Sequence, residues 1–431
     1  MSALALVALS RGVRVTGSDA DISGCGELRA AGAILAEGAA PELAAGARAV
    51  VASAAIPEAH PDLERARRGG LPVVPRKRAL AELLEGVRVV AIAGTHGKTT
   101  TTVMTAEAFA AAGLDPTALA GGRMASWGGN ARIGSGEWCI VEADEYDQAF
   151  LALEPTIAVV NNVEADHLEC YGSVEAMEAA FVEFAGRART ILIGDDGEGA
   201  DRVAERLGGR ALRFGPGARD VDLRDLAEAP SGSSGTIRWA DGFEVTVRLQ
   251  VPGRHNLRNA AGALAAVRAA GGDPRVAAAA LAGFGGVGRR FERLGEHDGV
   301  TYVDDYAHHP TEVSATLAAA RQAFPGRRIV AVFQPHLYSR TALHGPALGR
   351  ALAAADLPVV TGIYPAREAP IPGVTGEAVA VAAREAGRET LFVPARGEVS
   401  GAVRALLRPG DVLLTMGAGD ITRLAAELGA R

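Results

Sequence analysis

Val87-Arg-Val-Val-Ala-Ile-Ala-Gly-Thr-His-Gly-Lys-Thr-Thr-Thr-Thr102 decides the fold. Its first seven residues form an apolar run that reads as a buried strand. Val103, Met104, Ala106, Ala108 and Phe109 then recur at helical spacing. Strand, Gly-rich turn, Gly-Lys-Thr and helix make a phosphate-binding loop. Backbone N–H groups of Gly94, Thr95, His96, Gly97 and Thr100 at a helix N-terminus suit a polyphosphate, Lys98 neutralises its charge, and the Thr99 hydroxyl can ligate Mg²⁺. The usual pattern places Gly six residues before Lys98, where this chain has Ile92.

Around that loop the composition sets bounds. At 431 residues the chain is too long for one ordinary core. Hydrophobic content of 48% with 22% charged residues is that of a globular protein. No apolar run reaches the roughly 18 residues that span a bilayer, which argues against membrane insertion. Ser2–Ser10 is apolar but has no basic residue before it, so it reads as a buried helix with a Leu4/Val7/Ala8 face rather than a signal segment. Cys25, Cys139 and Cys170 are far apart and unpaired in sequence, which fits a reducing cytoplasm. A net charge of −7 offers no basic footprint for nucleic acid. Cations for an anionic nucleotide must therefore be concentrated locally, with Mg²⁺ recruited.

The pattern before the loop, residues 1–86, alternates short strands with Ala-rich helices: Val13–Val15 ending at Gly17-Ser18-Asp19, then Ala33–Leu35, Ala49–Ala52 and Pro72–Val74. A second α/β segment, 87–287, has strands at Trp138–Val141, Thr156–Val160 and Thr190–Ile193. Alternation on both sides of Asp241-Gly242 predicts a hairpin over Thr236–Arg248, a small antiparallel element, followed by a helix at 257–270. Gly283-Phe-Gly-Gly-Val-Gly288 reads as a linker. A third α/β segment, 288–431, has strands at Thr301–Val303, Arg328–Phe333, Pro358–Val360, Leu391–Val393 and Val412–Thr415. The expected class is α/β, with three parallel-sheet domains of Rossmann-like or phosphate-loop type.

Polar clusters follow these strands, where open α/β sheets bind ligands. Glu142-Ala-Asp-Glu-Tyr-Asp147 supplies a carboxylate suited to be the second Mg²⁺ ligand. Asn161-Asn-Val-Glu-Ala-Asp-His167 repeats the placement, although His167 is a nitrogen donor and unusual for Mg²⁺, so its spacing leaves the role open. Asn256 and Asn259 share a helical face and can bracket a base or ribose, or simply cap the helix. Arg289-Arg-Phe291 at a domain junction is either a surface pair or a reach toward a γ-phosphate. Asp304-Asp-Tyr-Ala-His-His-Pro310 and Phe333-Gln-Pro-His336 place carboxylates and imidazoles at neighbouring strand ends. Gly417-Ala-Gly419 reads as a turn.

Together, Gly94–Thr100, Glu142–Glu145, Asn162–His167, Gly253–Asn256, Arg289–Phe291, Asp304–Pro310 and Phe333–His336 resemble the muramyl (Mur) ligase family, in the family's order and along the whole chain. The resemblance implies a UDP-substrate domain (1–86, lacking its first strand), an ATP-binding domain (87–287) and a C-terminal ligase domain (288–431). It implies ATP and Mg²⁺ as cofactors, with UDP-N-acetylmuramate and L-alanine as substrates joined through an acyl phosphate. A tripeptide-recycling ligase, or a catalytically weak nucleotide-binding protein, are the alternatives. By motif, Lys98 and Thr99 hold phosphates and Mg²⁺, and Glu142 and His167 are metal ligands. His255, Asn256 and Asn259 contact adenosine, Arg290 the γ-phosphate, and Asp305 joins the C-terminal domain to ATP. Tyr306, His308 and Arg340 face the acceptor carboxylate or the amino acid, and Ser18 and Asp19 the uridine end. Two departures stand out. Leu337 replaces a usual Arg, and the family's opening strand with its Gly-rich turn is missing before Met1-Ser-Ala-Leu4. The chain as it stands is therefore expected to bind the nucleotide sugar weakly until about 20 residues of strand and turn are added. Oligomeric state is not legible in the sequence.

Overall fold

A computed structural model describes residues 1–430. It divides into two compact units. One comprises residues 1–164, 173–215 and 262–277, and the other residues 165–172, 216–261 and 278–431.

In the first unit the phosphate-loop strand, Arg88–Ala93, lies inside a parallel sheet. The order is Ala211–Gly215, Thr190–Gly194, Ile157–Val160, Arg88–Ala93, Trp138–Glu142, Thr117–Met124, with Gly129–Arg132 antiparallel at the edge. Val89–Ala93 and Ile157–Val160 are wholly buried, as strands covered on both faces must be. The helix Lys98–Ala111 buries every residue from Thr99 to Ala106. Its four consecutive threonines are an unusual helical run. The Asn161 amide donates to Thr101 Oγ1 at 3.0 Å, and Thr105 Oγ1 donates to the Thr101 carbonyl at 2.7 Å, so the Thr101 and Thr105 hydroxyls are satisfied.

Toward the N-terminus, Thr16–Asp19 pairs with Ile34–Glu37 and Val50–Ala52 with Val73–Pro75, both parallel. The strand expected at Val13–Val15 begins instead at Thr16. Gly12, at φ +76°, turns the chain out of the first helix, and Val13 stands in solvent. That helix, Ser2–Ser10, buries Ala3, Leu4 and Val7 rather than Ala8, and Ser2 Oγ reaches Asn130 Oδ1 at 3.0 Å.

The second unit contains a three-stranded antiparallel ribbon, Val221–Ala229, Gly232–Trp239 and Glu244–Leu249. The hairpin expected around Asp241-Gly242 is its last turn. Its six-stranded sheet runs Glu292–His297, Val300–Asp305, Val412–Met416, Ile329–Phe333, Leu357–Thr361, Leu391–Val393, with only the first strand antiparallel. Alternate residues feed two cores. Val303, Phe333 and Leu414 pack with Leu317, Phe324 and Leu348, while Tyr302, Val330 and Leu413 pack with Val399, Ile421 and Leu424. The strands' C-terminal ends thus hold Asp304, Asp305, Gln334 and Gly417 at one rim of the sheet.

Candidate active site

The turn after Ala93 is shaped by close approach. Gly94 has φ +129°, and a Cβ there would lie 3.0 Å from the Asn161 amide nitrogen. The loop is pinned from the next strand's end. Asn162 Oδ1 accepts from the His96 amide at 2.8 Å, and the Thr95 hydroxyl accepts from the Glu164 amide at 2.8 Å. His96 Nε2 lies 3.6 Å from Glu164 Oε2. Gly97, left-handed, opens the helix, and Thr100 is buried in its first turn.

Lys98 folds back over this loop. Its ammonium donates to the Gly94 carbonyl at 2.7 Å, the Thr95 carbonyl at 3.3 Å and Glu145 Oε1 at 2.7 Å. Burial works against its charge, but Glu145, Asp144 and Glu142 more than compensate and hold its pKa above the ordinary lysine value. Beside it, Thr99 Oγ1 donates to Glu142 Oε1 at 3.0 Å, and Glu142 Oε2 accepts from the Gly121 amide at 2.5 Å. A hydroxyl and a carboxylate are hard oxygen donors and suit a small divalent cation such as Mg²⁺. Glu145 was not singled out in the sequence. It is a buried carboxylate that pre-positions the loop lysine.

In the second unit, His167 has φ +53°, with its imidazole 3.3 Å from Glu169 and 3.7 Å from Asp166. Asp166 forms a buried fork with Arg340. Nε and Nη2 of Arg340 reach Oδ1 at 3.1 and 3.0 Å, and Nη2 reaches Oδ2 at 3.0 Å. Burial opposes ionisation of Asp166, yet Arg340, His167 and His308 hold its pKa well below the usual carboxylate range. Arg340 Nη1 also donates to His336 Nδ1 at 3.0 Å. Most of its N–H donors are therefore committed inside the protein. Its observed role is to hold Asp166 and His336, beside whatever it offers a substrate.

His308 lies with Nδ1 at 2.9 Å from the Tyr306 carbonyl and 3.3 Å from Glu312 Oε2. Two acceptors around Nδ1 require the proton there, so Nε2 carries the lone pair. Burial, reinforced by Arg340, lowers its pKa to about 3, and the same causes lower His336 to about 4. His336 stacks on Tyr364 at 5.9 Å. The Tyr306 ring lies 4.8 Å from the Arg289 guanidinium and 5.1 Å from that of Arg290. Arg289 is tied to buried Asp304 at 3.1 Å and to the Gly417 carbonyl at 2.7 Å. Asp305 uses both oxygens on backbone amides, Phe291 and Ala307, each at 2.7 Å, and burial raises its pKa to about 6 despite Arg290. Asp305 thus joins the Arg289–Phe291 turn to the Tyr306–His308 loop.

At the start of the helix Arg254–Ala269, Asn256 Nδ2 donates to the Pro252 carbonyl at 2.7 Å and Asn259 Nδ2 approaches Asn256 Oδ1 at 3.5 Å. The two share a face, as their spacing predicts. Burial and then Arg258 lower the His255 pKa to about 4, which leaves a neutral imidazole. Leu337, at φ +66°, starts the helix Tyr338–Leu352, its amide donating to the Tyr364 carbonyl at 3.0 Å. At the other end of the chain, Ser18 Oγ donates to Asp62 at 2.5 Å, and Asp19 is exposed.

Family comparisons divide the chain in the same order as its motifs. Residues 1–88 match the model described as "Mur ligase family, catalytic domain", 92–267 "Mur ligase middle domain" and 289–419 "Mur ligase, glutamate ligase domain". The chain is 45% identical to the UDP-N-acetylmuramate–L-alanine ligase of Streptomyces coelicolor, over 99% of this chain and 94% of that protein. It is 46% identical to that of Mycolicibacterium vanbaalenii, over 99% and 93%. The crystal structure of UDP-N-acetylmuramate–alanine ligase from Thermotoga maritima superposes with TM-score 0.83 at 28% identity, covering 99% of this chain and 95% of that one. A murein peptide ligase from Psychrobacter arcticus superposes with TM-score 0.74 at 25% identity over 99% and 95%. On this full-length likeness, the chain belongs to the Mur ligase family.

Proposed function

We propose that this protein joins L-alanine to the lactyl carboxylate of UDP-N-acetylmuramate, with ATP converted to ADP and phosphate, in the cytoplasmic stage of peptidoglycan synthesis. The observation that carries this reading is identity of 45% to a relative of that name across 99% of the chain. In the proposed sequence a carboxylate oxygen attacks the γ-phosphorus and ADP leaves. The amine nitrogen of alanine then attacks the acyl phosphate carbon, and phosphate departs as the amine loses its protons. A carboxylate resists nucleophiles until one oxygen has become part of a leaving group, which is why ATP is consumed.

The residues divide the work by charge. Lys98, already charged and placed by Glu145, meets the polyphosphate. Thr99 and Glu142 hold Mg²⁺, with His167 as a further ligand; when bound, the ion neutralises phosphate charge. Arg290 meets the charge that develops at the γ-phosphate. His255, Asn256 and Asn259 receive the adenosine, and Ser18 and Asp19 the uridine end. Neutral His308 presents the unprotonated Nε2 that an ammonium needs as acceptor, beside Tyr306. The segments 1–86, 87–287 and 288–431 are proposed as the corresponding substrate, ATP and ligase divisions.

The test is phosphate release with UDP-N-acetylmuramate and Mg-ATP. L-Alanine should drive it far better than L-Ala-D-Glu-diaminopimelate, and preference for the tripeptide would transfer the assignment to a recycling ligase.

A further inference from the structure

Gln322 lies near the end of the helix Pro310–Ala323 and belongs to none of the motifs above. Its side-chain oxygen accepts from the Gly253 amide at 2.8 Å. Its nitrogen lies 3.0 Å from the Ala229 carbonyl, 2.9 Å from the Gly232 carbonyl and 3.0 Å from Ser233 Oγ. One amide thus ties a helix of the C-terminal segment to the turn of the antiparallel ribbon and to the residue that opens Gly253-Arg-His-Asn256.

Gly253 has little freedom to be held any other way. Its φ is +95°, and a Cβ would fall 2.4 Å from His255 Cε1 and 3.4 Å from the Ala319 side chain. The His255 ring is folded over this glycine, so the position of the Gly253 peptide fixes where the imidazole lies. Asn256 follows on the same turn through its bond to the Pro252 carbonyl. We infer that Gln322 is a positioning residue for nucleotide recognition: by gripping the Gly253 amide it sets the His255-Asn256 loop to receive a nucleoside. This rests on the proposal above that the loop contacts adenosine. The chemistry of the grip is directional. The oxygen must face Gly253 N–H and the nitrogen must face two carbonyls, so only an amide of this length satisfies both sides.

Gln322→Met keeps length and volume but removes both hydrogen-bonding functions, leaving the Gly253 amide and the ribbon carbonyls unmatched. Its dissociation constant for ATP should rise about tenfold, the size of one lost hydrogen bond. Inorganic tripolyphosphate, which offers the phosphates without a nucleoside, should bind as to wild type. The KM for L-alanine should not change. Ser233→Ala, which removes one partner on the ribbon side and leaves the Gly253 bond, should bind ATP within about twofold of wild type. Calorimetric titration of the three proteins with both ligands decides the matter, with melting temperatures showing that each is folded. Unchanged ATP affinity in Gln322→Met, or an equal loss for tripolyphosphate, would overturn the inference. Should wild type bind tripolyphosphate as tightly as ATP, the adenosine reading of the loop would fail, independently of Gln322.

Discussion

Lys98 illustrates how a single side chain is prepared for its partner. Its three donors already meet two carbonyls and the Glu145 carboxylate, so the ammonium is charged and placed before a phosphate arrives. Lys98→Ala should therefore abolish phosphate release, and it should lower the melting temperature without unfolding the protein, because buried Glu145 loses its partner. The loss should correspond to about 3 kcal/mol or more of transition-state stabilisation, and activity within a few-fold of wild type would refute it. Arg340 is more demanding, because its guanidinium plane serves Asp166 and His336 together. A lysine keeps the charge but not the fork, so Arg340→Lys should lower kcat/KM at least about tenfold. Leu337→Arg places a cation at the start of the helix Tyr338–Leu352, and should lower the KM for the nucleotide sugar in steady-state assays. The phosphate loop, Glu142 and the imidazoles were legible because each sits in a contiguous motif at a strand end. Glu145, Asp166 and Gln322 carry as much of the geometry but act on partners distant in sequence. Arg340 and Asp166 are 174 positions apart, and no spacing rule connects them.

At the level of elements, the helix Tyr338–Leu352 comes unusually close to the helix Glu377–Glu385. A Cβ on Gly349 would stand 2.4 Å from the Val379 carbonyl and 2.5 Å from the Ala382 methyl. Both obstacles belong to backbone or to a side chain that cannot rotate away. Gly349→Ala must push the helices apart, at about 2 kcal/mol, and should lower the melting temperature by several degrees with little change in nucleotide affinity. The same scale shows what a sequence discloses. Continuous apolar runs such as Val89–Ala93, Ile157–Val160 and Ile329–Phe333 are readable because both faces are buried. The strands Thr117–Met124, Gly129–Arg132, Val221–Ala229 and Glu292–His297 are not. They are Gly-rich, polar or bulged, and their ladders supply the order that side-chain pattern does not. Val13–Val15 failed in the opposite way: two valines without a neighbouring strand do not make one, and the pairing begins at Thr16.

Across the whole molecule, three imidazoles have pKa values lowered from 6.5, His255 and His336 to about 4 and His308 to about 3. Each binds its proton more readily in the unfolded chain, so each contributes stability above pH 6.5 that is lost as pH falls toward its folded value. Asp166, with its lowered pKa, adds to the same trend at lower pH. Asp305 opposes it: its pKa is raised to about 6, so its contribution is greatest below its ordinary value and declines as pH rises through 6. Three histidines outweigh one aspartate, so the melting temperature should fall as pH drops from 6.5 to 4.5. A flat profile from scanning calorimetry would contradict this balance.

The strand Val412–Met416 pairs on one side with Val300–Asp305 and on the other with Ile329–Phe333. It is central in the sheet yet the last of its strands to leave the ribosome. During synthesis the two flanking strands, paired only on their outer sides with Glu292–His297 and Leu357–Thr361, wait with unsatisfied ladders on facing edges until this strand arrives. Unpaired strand edges of this kind invite association between chains. The architecture thus places a vulnerable interval before this strand is synthesised. A chain truncated after Pro409 should accumulate as insoluble material while the full chain stays in solution, and refolding should be limited by capture of this one late strand.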